Sequence, residues 1–403
     1  MAKRILIYTN HYFPEQFKIN EIVRWLSVSE YHIRVVTCIP NYPSGKFYKG
    51  YGLKSFESHD KKNVIINRLP LIPRGNGNYI RRILNYISYF ISTFVFTIYI
   101  MLSKQKYDYI FVHHTSPILI AISPIIYKIF FKTKMFLWDL DLWPDTLKNL
   151  EIIKSRILIN LLESFVKYIY SFYDKILIGS YGFKEIVKKR FDKEIIYFPN
   201  WAEIEIEKNI ITKKINLEIP KGYFTIMYTG NIGVAQGFEN VIKLINYLKN
   251  YKIHWVFIGE GTSKQPFIKE IDKHELGSLC SFINQVPVSE IPNYCSIADA
   301  MFLSIKNTPL FSKTVPAKLQ SYLAIGKPII GLLGGEGADI IKKSKSGITV
   351  ENTDISMFVN KIVKFISLNN SELNEMGKNG HNFYKLNFSS NIRKTQLFNL
   401  FKQ

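Results

Sequence analysis

Apolar and polar positions alternate along the chain in blocks that predict strands and helices in turn. Apolar runs at 3–9 and 33–37 predict buried strands, and apolar side chains recur at helical spacing over 19–28 between them. The alternation continues to about residue 200 and resumes at residue 223. Strands alternating with helices are typical of parallel sheets covered by helices on both faces. We therefore predict an α/β chain with two doubly wound parallel-sheet domains facing across a cleft, whose ligands bind at the carboxyl ends of the strands.

The length of 403 residues fits two cores, and a polar, charge-rich stretch separates the two series of elements. The pattern predicts an N-terminal Rossmann-like domain over 1–200 and a linker over 201–222. A second Rossmann-like domain follows over 223–385, and a C-terminal helix over 386–403 is expected to pack back on the first domain.

One apolar stretch, 83–103, contains no charged residue and has basic residues on both sides. It is long enough to span a bilayer. Its many Tyr, Ser and Thr side chains favour instead a helix that lies in the membrane interface or is buried between domains. The sequence leaves insertion and burial open, and the flanking Arg and Lys residues favour contact with anionic lipid.

The charge balance is strongly basic: 53 Lys and Arg against 32 Asp and Glu give a net charge of +21. Such a surface attracts nucleic acid, anionic lipid or phosphorylated substrates, and charge alone does not choose among them. The chain has three cysteines, which lie far apart in the sequence and indicate a reducing compartment without a disulfide framework. The N-terminal apolar run is too short for a signal peptide.

The segment VPAKLQSYLAIGKPII, residues 315–330, predicts a helix that opens at Pro316 and ends at Gly326. Lys318 falls in its first turn, where free backbone N–H groups and the helix dipole favour an anion. A cation at that position indicates either a solvated surface lysine or a lysine that faces a negatively charged ligand.

Two glycine-containing loops follow strands of the same domain, at 230–233 and 259–261. Glycines allow backbone N–H groups to approach a phosphate closely, and Lys318 adds positive charge. Neither loop matches the P-loop or the dinucleotide fingerprint, which argues against ATPase and dehydrogenase functions. The combination favours a nucleoside diphosphate.

Polar side chains also end the strands of the first domain. His11 and Glu15 follow the first strand, and His114 ends another. Asp139 ends a third strand, and Asp141 follows it. Carboxylates and imidazoles at strand ends can orient a substrate hydroxyl or act as a general base. The pair Asp139 and Asp141 has the spacing of a metal-binding DxD motif, but its place in this domain argues against a metal, and no cofactor is implied.

With these motifs in view, the chain resembles glycosyltransferase family 4, retaining enzymes of the GT-B fold. It is most similar to the bacterial O-antigen and capsule N-acetyl-L-fucosamine transferase-like subgroup. The resemblance rests on ordered motifs over most of the chain. They are HYFPEQFKINEIVRWL, WDLDLWPDTL, YTGNIGVAQGFENVI, FIGEGTSK, QVPVSEIPNYCSIADA, PAKLQSYLAIGKPIIG and GGEGADII.

The resemblance implies a nucleotide-sugar donor on the C-terminal domain and an acceptor on the N-terminal domain. It implies catalytic roles for Asp141 and Lys318, and acceptor or cleft positions for His11, Glu15, His114 and Asp139. The donor-binding residues that it implies are Gly230, Asn231, Gly233, Gln236, Gly259, Glu260, Gly261, Val286, Lys313, Thr314, Pro316 and Lys318.

The chain departs from the family's charge pattern. Where many members have an Arg and a Lys for the diphosphate, this sequence has Asn231 and Gln236. Where many have two glutamates eight positions apart, it has Lys313 and Ser321. We therefore expect Lys318 and Lys313 to supply the phosphate charge, and no glutamate is assigned to the ribose.

The resulting prediction is a retaining glycosyltransferase that moves a sugar from a nucleotide-sugar donor, UDP-linked and N-acetylated, to a lipid-linked saccharide. It would act in O-antigen or capsule synthesis at the inner face of the plasma membrane, in peripheral contact with anionic lipid. The alternative is another GT-B enzyme, such as a nucleotide-sugar epimerase that acts on a soluble substrate. A nucleic-acid partner is disfavoured because no basic and aromatic module is present.

Overall fold

The computed structural model describes residues 2–52, 56–61, 63–75, 78–350 and 355–402. These residues form two compact units. Unit 1 contains Met1–Phe198 and the last residues from Leu397, and unit 2 contains Pro199–Gln396.

Unit 1 is built on an eight-stranded sheet in the order β3-β4-β2-β1-β5-β6-β7-β8. All its strands are parallel to their neighbours except β3, which runs antiparallel to β4 and was not predicted. Its strands and helices are β1 (Arg4–Thr9), α1 (Ile19–Ser27), β2 (His32–Cys38), β3 (Glu57–Lys61), β4 (Val64–Leu69), α2 (Tyr79–Leu102), β5 (Tyr109–His114), α3 (Ser123–Phe131), β6 (Lys134–Asp139), α4 (Asp145–Asn149), α5 (Arg156–Ser171), β7 (Lys175–Ile178), α6 (Lys184–Lys188) and β8 (Glu194–Tyr197).

The central strands of this sheet are covered on both faces, since β1 and β5 are buried along almost their whole length. Strand order reverses between β1 and β5, which makes the carboxyl ends of these two strands the place where a ligand is expected. Beyond β1, the strands β5, β6 and β7 follow one another across the sheet in the order in which they occur in the sequence. Because crossovers between parallel strands are right-handed, the helices α2, α3 and α5 that precede them lie on the same face of the sheet.

Unit 2 is built on a six-stranded sheet in the order β11-β10-β9-β12-β13-β14, parallel throughout. Its order reverses between β9 and β12. The remaining helices and strands are α7 (Ile204–Lys208), β9 (Phe224–Thr229), α8 (Phe238–Tyr247), β10 (Ile253–Ile258), α9 (Lys264–Lys273), β11 (Cys280–Ile283), α10 (Ile291–Ser296), β12 (Ala300–Ser304), α11 (Ala317–Ile325), β13 (Ile329–Leu332), α12 (Gly335–Lys343), β14 (Gly347–Val350), α13 (Ile355–Ile366), α14 (Asn370–Asn387) and α15 (Ser390–Lys402).

An aromatic core fixes the position of the strands in unit 2. Trp255 and Phe257 on β10 pack with Phe302 on β12 and with Phe238 and Phe267 on the covering helices. Rings that meet edge to face at such distances add to the free energy gained by their burial. The loops that follow β9, β10 and β12 therefore start from a rigid base.

The end of the chain packs against unit 1. The Phe401 ring centroid lies 5.2 Å from that of Tyr109 and 5.9 Å from that of Phe136, and the Lys3 ammonium donates to the Phe401 carbonyl at 3.0 Å. An apolar anchor on the sheet explains why the last residues group with the first unit, although the sequence places them after the second.

The uncharged stretch of the sequence lies within α2, a helix that has the length and apolar composition to cross a membrane. One face of α2 is nevertheless fixed to unit 1 by hydrogen bonds. The Tyr89 hydroxyl donates to the Thr9 carbonyl at 2.7 Å, and the Thr97 and Tyr8 hydroxyls are 2.8 Å apart. This face is therefore part of the helical layer of the unit.

The opposite face of α2 is an exposed apolar stripe. Its side chains recur every three or four residues, the spacing of one helix face. The exposed apolar residues are Tyr79, Ile80, Ile83, Leu84, Ile87, Ile91, Val95, Ile98, Tyr99 and Leu102.

Candidate functional site

Helix α11 begins one residue later than the sequence predicts. Pro316 is its N-cap rather than its first residue, and Gly326 ends it in the left-handed conformation with φ +75°. The prediction that the helix begins at Pro316 and ends at Gly326 is therefore correct to within one residue. Lys318 lies in the first turn, where free backbone N–H groups point along the helix axis.

The Lys318 ammonium points to the loop after β9. Its Nζ donates to the Asn231 carbonyl at 3.1 Å and contacts the Tyr228 hydroxyl, and it lies 3.8 Å from the Tyr228 ring centroid. Neither partner is charged, and burial lowers the pKa of Lys318 to about 7. A negatively charged ligand beside this amine would raise its pKa towards the ordinary value.

The two glycine loops are in contact with each other. The Gly230 amide donates to the Ile258 carbonyl at 2.8 Å, and the Ile232 amide donates to the Glu260 carbonyl at 2.9 Å. A Cβ atom on Gly259, whose φ is +145°, would lie 2.0 Å from the Gly230 carbonyl oxygen. Only glycine permits this approach.

Lys318 completes this arrangement, because a Cβ atom on Gly230 would lie 2.8 Å from its Cε. The predicted loops at 230–233 and 259–261 and the start of α11 are thus brought together at the carboxyl edge of the sheet of unit 2. We call this set of segments the glycine cradle.

Two neutral residues of the loop after β9, Asn231 and Gln236, shape the cradle. The Gln236 side-chain oxygen accepts from the Gly233 amide at 2.9 Å, and the Asn231 carbonyl accepts from Lys318. Gln236 therefore holds the loop that follows β9 in a closed turn.

A lysine that the sequence analysis missed joins two loops of this edge. Lys264 is 4% exposed, and its Nζ donates to Glu260 Oε1 at 2.6 Å and to Asn284 Oδ1 at 2.7 Å. The four-residue spacing from Glu260 could have indicated the first contact. The second contact orients the loop after β11 that carries Val286.

The other predicted donor-binding residues lie in loops at the same sheet edge. Lys313 and Thr314 precede α11, and the Thr314 hydroxyl donates to the Leu310 carbonyl at 2.9 Å. A Cβ atom on Gly335 would lie 1.9 Å from the Ser312 carbonyl, so this turn packs tightly against the start of α12.

In unit 1, His11 and Glu15 form a buried pair in the loop after β1. His11 Nδ1 lies 2.6 Å from Glu15 Oε2, and Glu15 Oε1 accepts the backbone amides of Asn41 and Tyr42 at 2.7 and 2.6 Å. Burial lowers the pKa of His11, partly offset by Glu15. Both carboxylate oxygens are thus engaged in holding the loops after β1 and β2.

His114 and Asp139, at the ends of β5 and β6, form a second buried pair. His114 Nδ1 lies 2.8 Å from Asp139 Oδ1, and the Tyr170 hydroxyl donates to Asp139 Oδ2. Burial raises the pKa of Asp139, but His114 and Tyr170 outweigh burial and hold that pKa below its ordinary value. Among the described residues, His114 Nε2 has no hydrogen-bond partner, which leaves it able to accept from a hydroxyl.

Asp141 lies beside this pair, but its side chain is tied locally. Its Oδ1 accepts from the Thr146 hydroxyl at 2.8 Å, and its amide donates to Asp139 Oδ1 at 3.3 Å. Over the described residues, no three His, Cys, Asp or Glu side chains are arranged as a metal site.

Two doubly wound parallel sheets in one chain, the second with a glycine cradle and a lysine at its carboxyl edge, have the architecture of GT-B glycosyltransferases. Solved structures with this fold superpose on the whole chain. Sucrose-phosphate synthase from Thermosynechococcus elongatus has a TM-score of 0.76 at 14% identity, covering 100% of this chain and 98% of that one. A glycosyltransferase from Rickettsia africae has a TM-score of 0.66 at 14% identity, with coverage of 100% and 98%.

Sequence comparisons agree with the fold. Residues 209–383 match the family described as glycosyl transferases group 1. WbjE of Pseudomonas aeruginosa, named as a glycosyltransferase, is 24% identical over 68% of this chain and 70% of its own length. WcaI of Escherichia coli, named as a colanic acid biosynthesis glycosyl transferase, is 23% identical over 80% of this chain and 81% of its own. The chain is a glycosyltransferase with a GT-B fold, and its similarity to group 1 lies in residues 209–383.

Proposed function

We propose that the chain transfers a sugar, with retention of configuration, from a nucleotide-sugar donor to a lipid-linked saccharide in O-antigen or capsule synthesis. The observation that carries the donor assignment is the Lys318 ammonium, which points into the glycine cradle and has only neutral partners among the contacts described above. The name of WcaI, which refers to colanic acid biosynthesis, supports the polysaccharide context. The proposed donor is UDP-linked, with an N-acetylated deoxysugar.

The proposed transfer depends on placing the two substrates and on stabilising the charge of the leaving diphosphate. It does not require a separate general base. In a retaining transfer, the bond from the anomeric carbon to the phosphate oxygen breaks while the acceptor oxygen bonds to the same face. The departing phosphate oxygen takes the proton of the acceptor hydroxyl. Lys318 and the backbone amides in the first turn of α11 stabilise the negative charge on the leaving diphosphate. In unit 1, Asp141 and His114 are the candidates to orient the acceptor hydroxyl.

A nucleotide-release assay tests this function. Purified protein, bacterial membranes and a panel of nucleotide sugars are combined, and the nucleoside diphosphate released is counted. We expect one donor to give release that depends on the membranes. Release that does not depend on an acceptor, or no release with any donor, would contradict a transferase acting on a lipid-linked saccharide.

A lipid-linked acceptor requires contact with the membrane. We assign this contact to the face of unit 1 that is covered by α2, α3 and α5. The exposed stripe of α2 lies on the same face of the sheet as α3 and α5. On α3, Ile129 and Phe130 are exposed, and α5 adds a second apolar stripe. The exposed apolar side chains of α5 are Ile157, Leu158, Leu161, Phe165 and Tyr168.

Basic residues border this face and favour anionic lipid. Arg81 and Arg82 lie in the first turn of α2, Lys104 and Lys106 follow its end, and α2 contains no acidic residue. An apolar face with cationic borders binds at the level of the lipid headgroups without spanning the bilayer. The proposed location is therefore the cytoplasm, at the inner face of the plasma membrane.

Two acidic substitutions on the stripe should abolish most membrane binding. For the double variant Ile87→Glu and Val95→Glu, we expect binding to phosphatidylglycerol vesicles to fall at least about tenfold, because two inserted apolar side chains are lost and replaced by charges that the lipid repels. Both positions are exposed, so the fold should persist. Co-sedimentation measures the effect.

The matched control is Tyr247→Glu, which changes an equally exposed apolar residue on α8 in unit 2. It should leave vesicle binding unchanged. Equal binding by the double variant, or binding to neutral vesicles as strong as to anionic ones, would remove this face as the lipid contact.

A further inference from the structure

A cavity of about 350 Å³ opens at the amino edge of the sheet of unit 1. Its lining includes Arg4, His32, Arg34, Ile65 and Tyr107, and we call it the arginine pocket. Strand β1 has six residues, so its two ends are about 16 Å apart at about 3.3 Å per residue. The arginine pocket is therefore separate from the polar side chains at the carboxyl ends of the strands.

Two guanidinium groups meet in the arginine pocket beside Tyr107. The guanidinium carbon of Arg4 lies 4.9 Å from the Tyr107 ring centroid. Burial raises the pKa of the Tyr107 hydroxyl, and Arg34 and Arg4 partly offset this rise, so both guanidinium groups lie near that hydroxyl. Two planar guanidinium forks at one point match the oxygens of a phosphate group.

The buried member of this pair is incompletely hydrogen-bonded. Arg34 is 8% exposed, and its Nη1 donates to Asn67 Oδ1 at 2.9 Å and lies 3.8 Å from Glu57 Oε2. Its Nε has no hydrogen-bond partner among the described residues. The carboxylate of Asp108, close by, accepts from the backbone amide of Arg4 at 2.7 Å. A buried cation with an unmade hydrogen bond is costly, and an anionic ligand in the pocket would offset that cost.

The arginine pocket lies on the face of the sheet that α2 covers. Arg4 and Tyr8 are four positions apart on β1, so their side chains point to the same face. The Tyr8 hydroxyl is 2.8 Å from the hydroxyl of Thr97 on α2. Arg34 shares this face, because it pairs in register with Leu6, which lies between Arg4 and Tyr8 on β1.

The end of α2 connects the arginine pocket to the proposed lipid contact. Leu102 ends α2 and is the last exposed side chain of its apolar stripe. Tyr107, in the wall of the pocket, follows shortly after it in the chain, and the exposed Lys104 and Lys106 lie between them. In a phospholipid the phosphate is joined to the acyl chains through glycerol. A lipid whose chains meet the end of the stripe therefore has its phosphate close to the pocket.

We propose that the arginine pocket binds the phosphate group of an anionic phospholipid between Arg4 and Arg34. The inference rests on the membrane contact of the proposed function and is independent of the donor and the sugar. An apolar stripe with cationic borders holds any anionic surface, whereas a pair of guanidinium forks binds one phosphate in a fixed geometry. The pocket would thus fix the orientation of unit 1 on the membrane.

The test uses substitutions that keep the net charge and remove the fork. In Arg34→Lys the ammonium can still donate to Asn67, and in Arg4→Lys the backbone pairing of β1 is unchanged. For each variant we expect the full-length protein to bind phosphatidylglycerol vesicles at least about fivefold more weakly than the wild type, because a bidentate contact with the phosphate is lost. Co-sedimentation measures the affinity, and the melting temperature shows that each variant is folded.

The matched control is Arg82→Lys, which makes the same change at an exposed arginine of the basic border. It should bind as the wild type does, because attraction by charge alone does not distinguish Arg from Lys. Wild-type binding by both Arg4→Lys and Arg34→Lys would overturn the pocket as a lipid site and leave the membrane contact intact. If the wild type does not bind these vesicles, the membrane contact fails and this inference fails with it.

A second measurement separates a lipid headgroup from free phosphate. Inorganic phosphate and glycerol 3-phosphate, the headgroup part without acyl chains, are added to the wild type during vesicle binding. We expect both to compete with the vesicles in the wild type and neither to compete in Arg34→Lys. A rise in the melting temperature of the wild type with inorganic phosphate, without any competition with the vesicles, would assign the pocket to free phosphate and overturn the lipid assignment.

Discussion

Replacing Lys318 with methionine should lower the rate of sugar transfer about a hundredfold or more and leave the protein folded. Removal of one group that stabilises a developing anion typically costs about 3 kcal/mol of transition-state stabilisation. The unliganded protein should not suffer, because burial already disfavours the ammonium and lowers its pKa to about 7. We therefore expect Lys318→Met to melt at the same temperature as the wild type or higher, while kcat falls at saturating donor.

The control for this variant is Lys343→Met, which removes an exposed lysine of the same unit. It should retain wild-type kcat. Near-normal turnover by Lys318→Met with saturating donor would exclude the phosphate role. A large fall in melting temperature would indicate instead that the lysine acts mainly as a structural group.

Replacing Gly259 with alanine should destabilise unit 2 strongly and displace the cradle. The new Cβ atom would lie 2.0 Å from the Gly230 carbonyl oxygen, at a backbone φ of +145°. Steric overlap in a packed site and an unfavourable φ each cost about 1–3 kcal/mol. For a unit of this size, we expect the melting temperature to fall by about 10 °C.

A matched glycine separates the two causes. Gly222 also has positive φ, +81°, but a Cβ atom there would meet nothing within 4 Å. Gly222→Ala should therefore show only the smaller conformational cost and unchanged donor binding. If the two variants melted alike, the contact between the glycine loops would not be the constraint that we describe.

The sequence predicted the features that depend on local patterns. Alternating apolar runs predicted the two parallel sheets. The Pro and Gly at the two ends of α11 predicted this helix to within one residue. The place of the loops at strand ends predicted that Gly230, Gly259 and Lys318 would meet, because parallel strands present their carboxyl ends at one edge.

The features that were missed depend on contacts between distant segments. The Ser321–Glu203 hydrogen bond joins residues 118 positions apart, and the Lys264–Asn284 bond joins the start of α9 to the loop after β11. The apolar stripe of α5 was not distinguished from a buried face, because amphipathic spacing alone does not say which face meets the sheet. Glu15 was predicted at an acceptor or cleft position, and the sequence did not indicate that its Oε1 accepts the backbone amides of Asn41 and Tyr42.

Proton uptake on binding shows whether the diphosphate of the donor binds at Lys318. At pH 8.5 an amine with a pKa of about 7 is neutral, and an arriving diphosphate restores its proton. The nucleoside diphosphate released in the transfer reaction is titrated at pH 8.5 in two buffers of different ionisation enthalpy. We expect an uptake close to one proton for the wild type and close to zero for Lys318→Met. Equal uptake by the two proteins would contradict it.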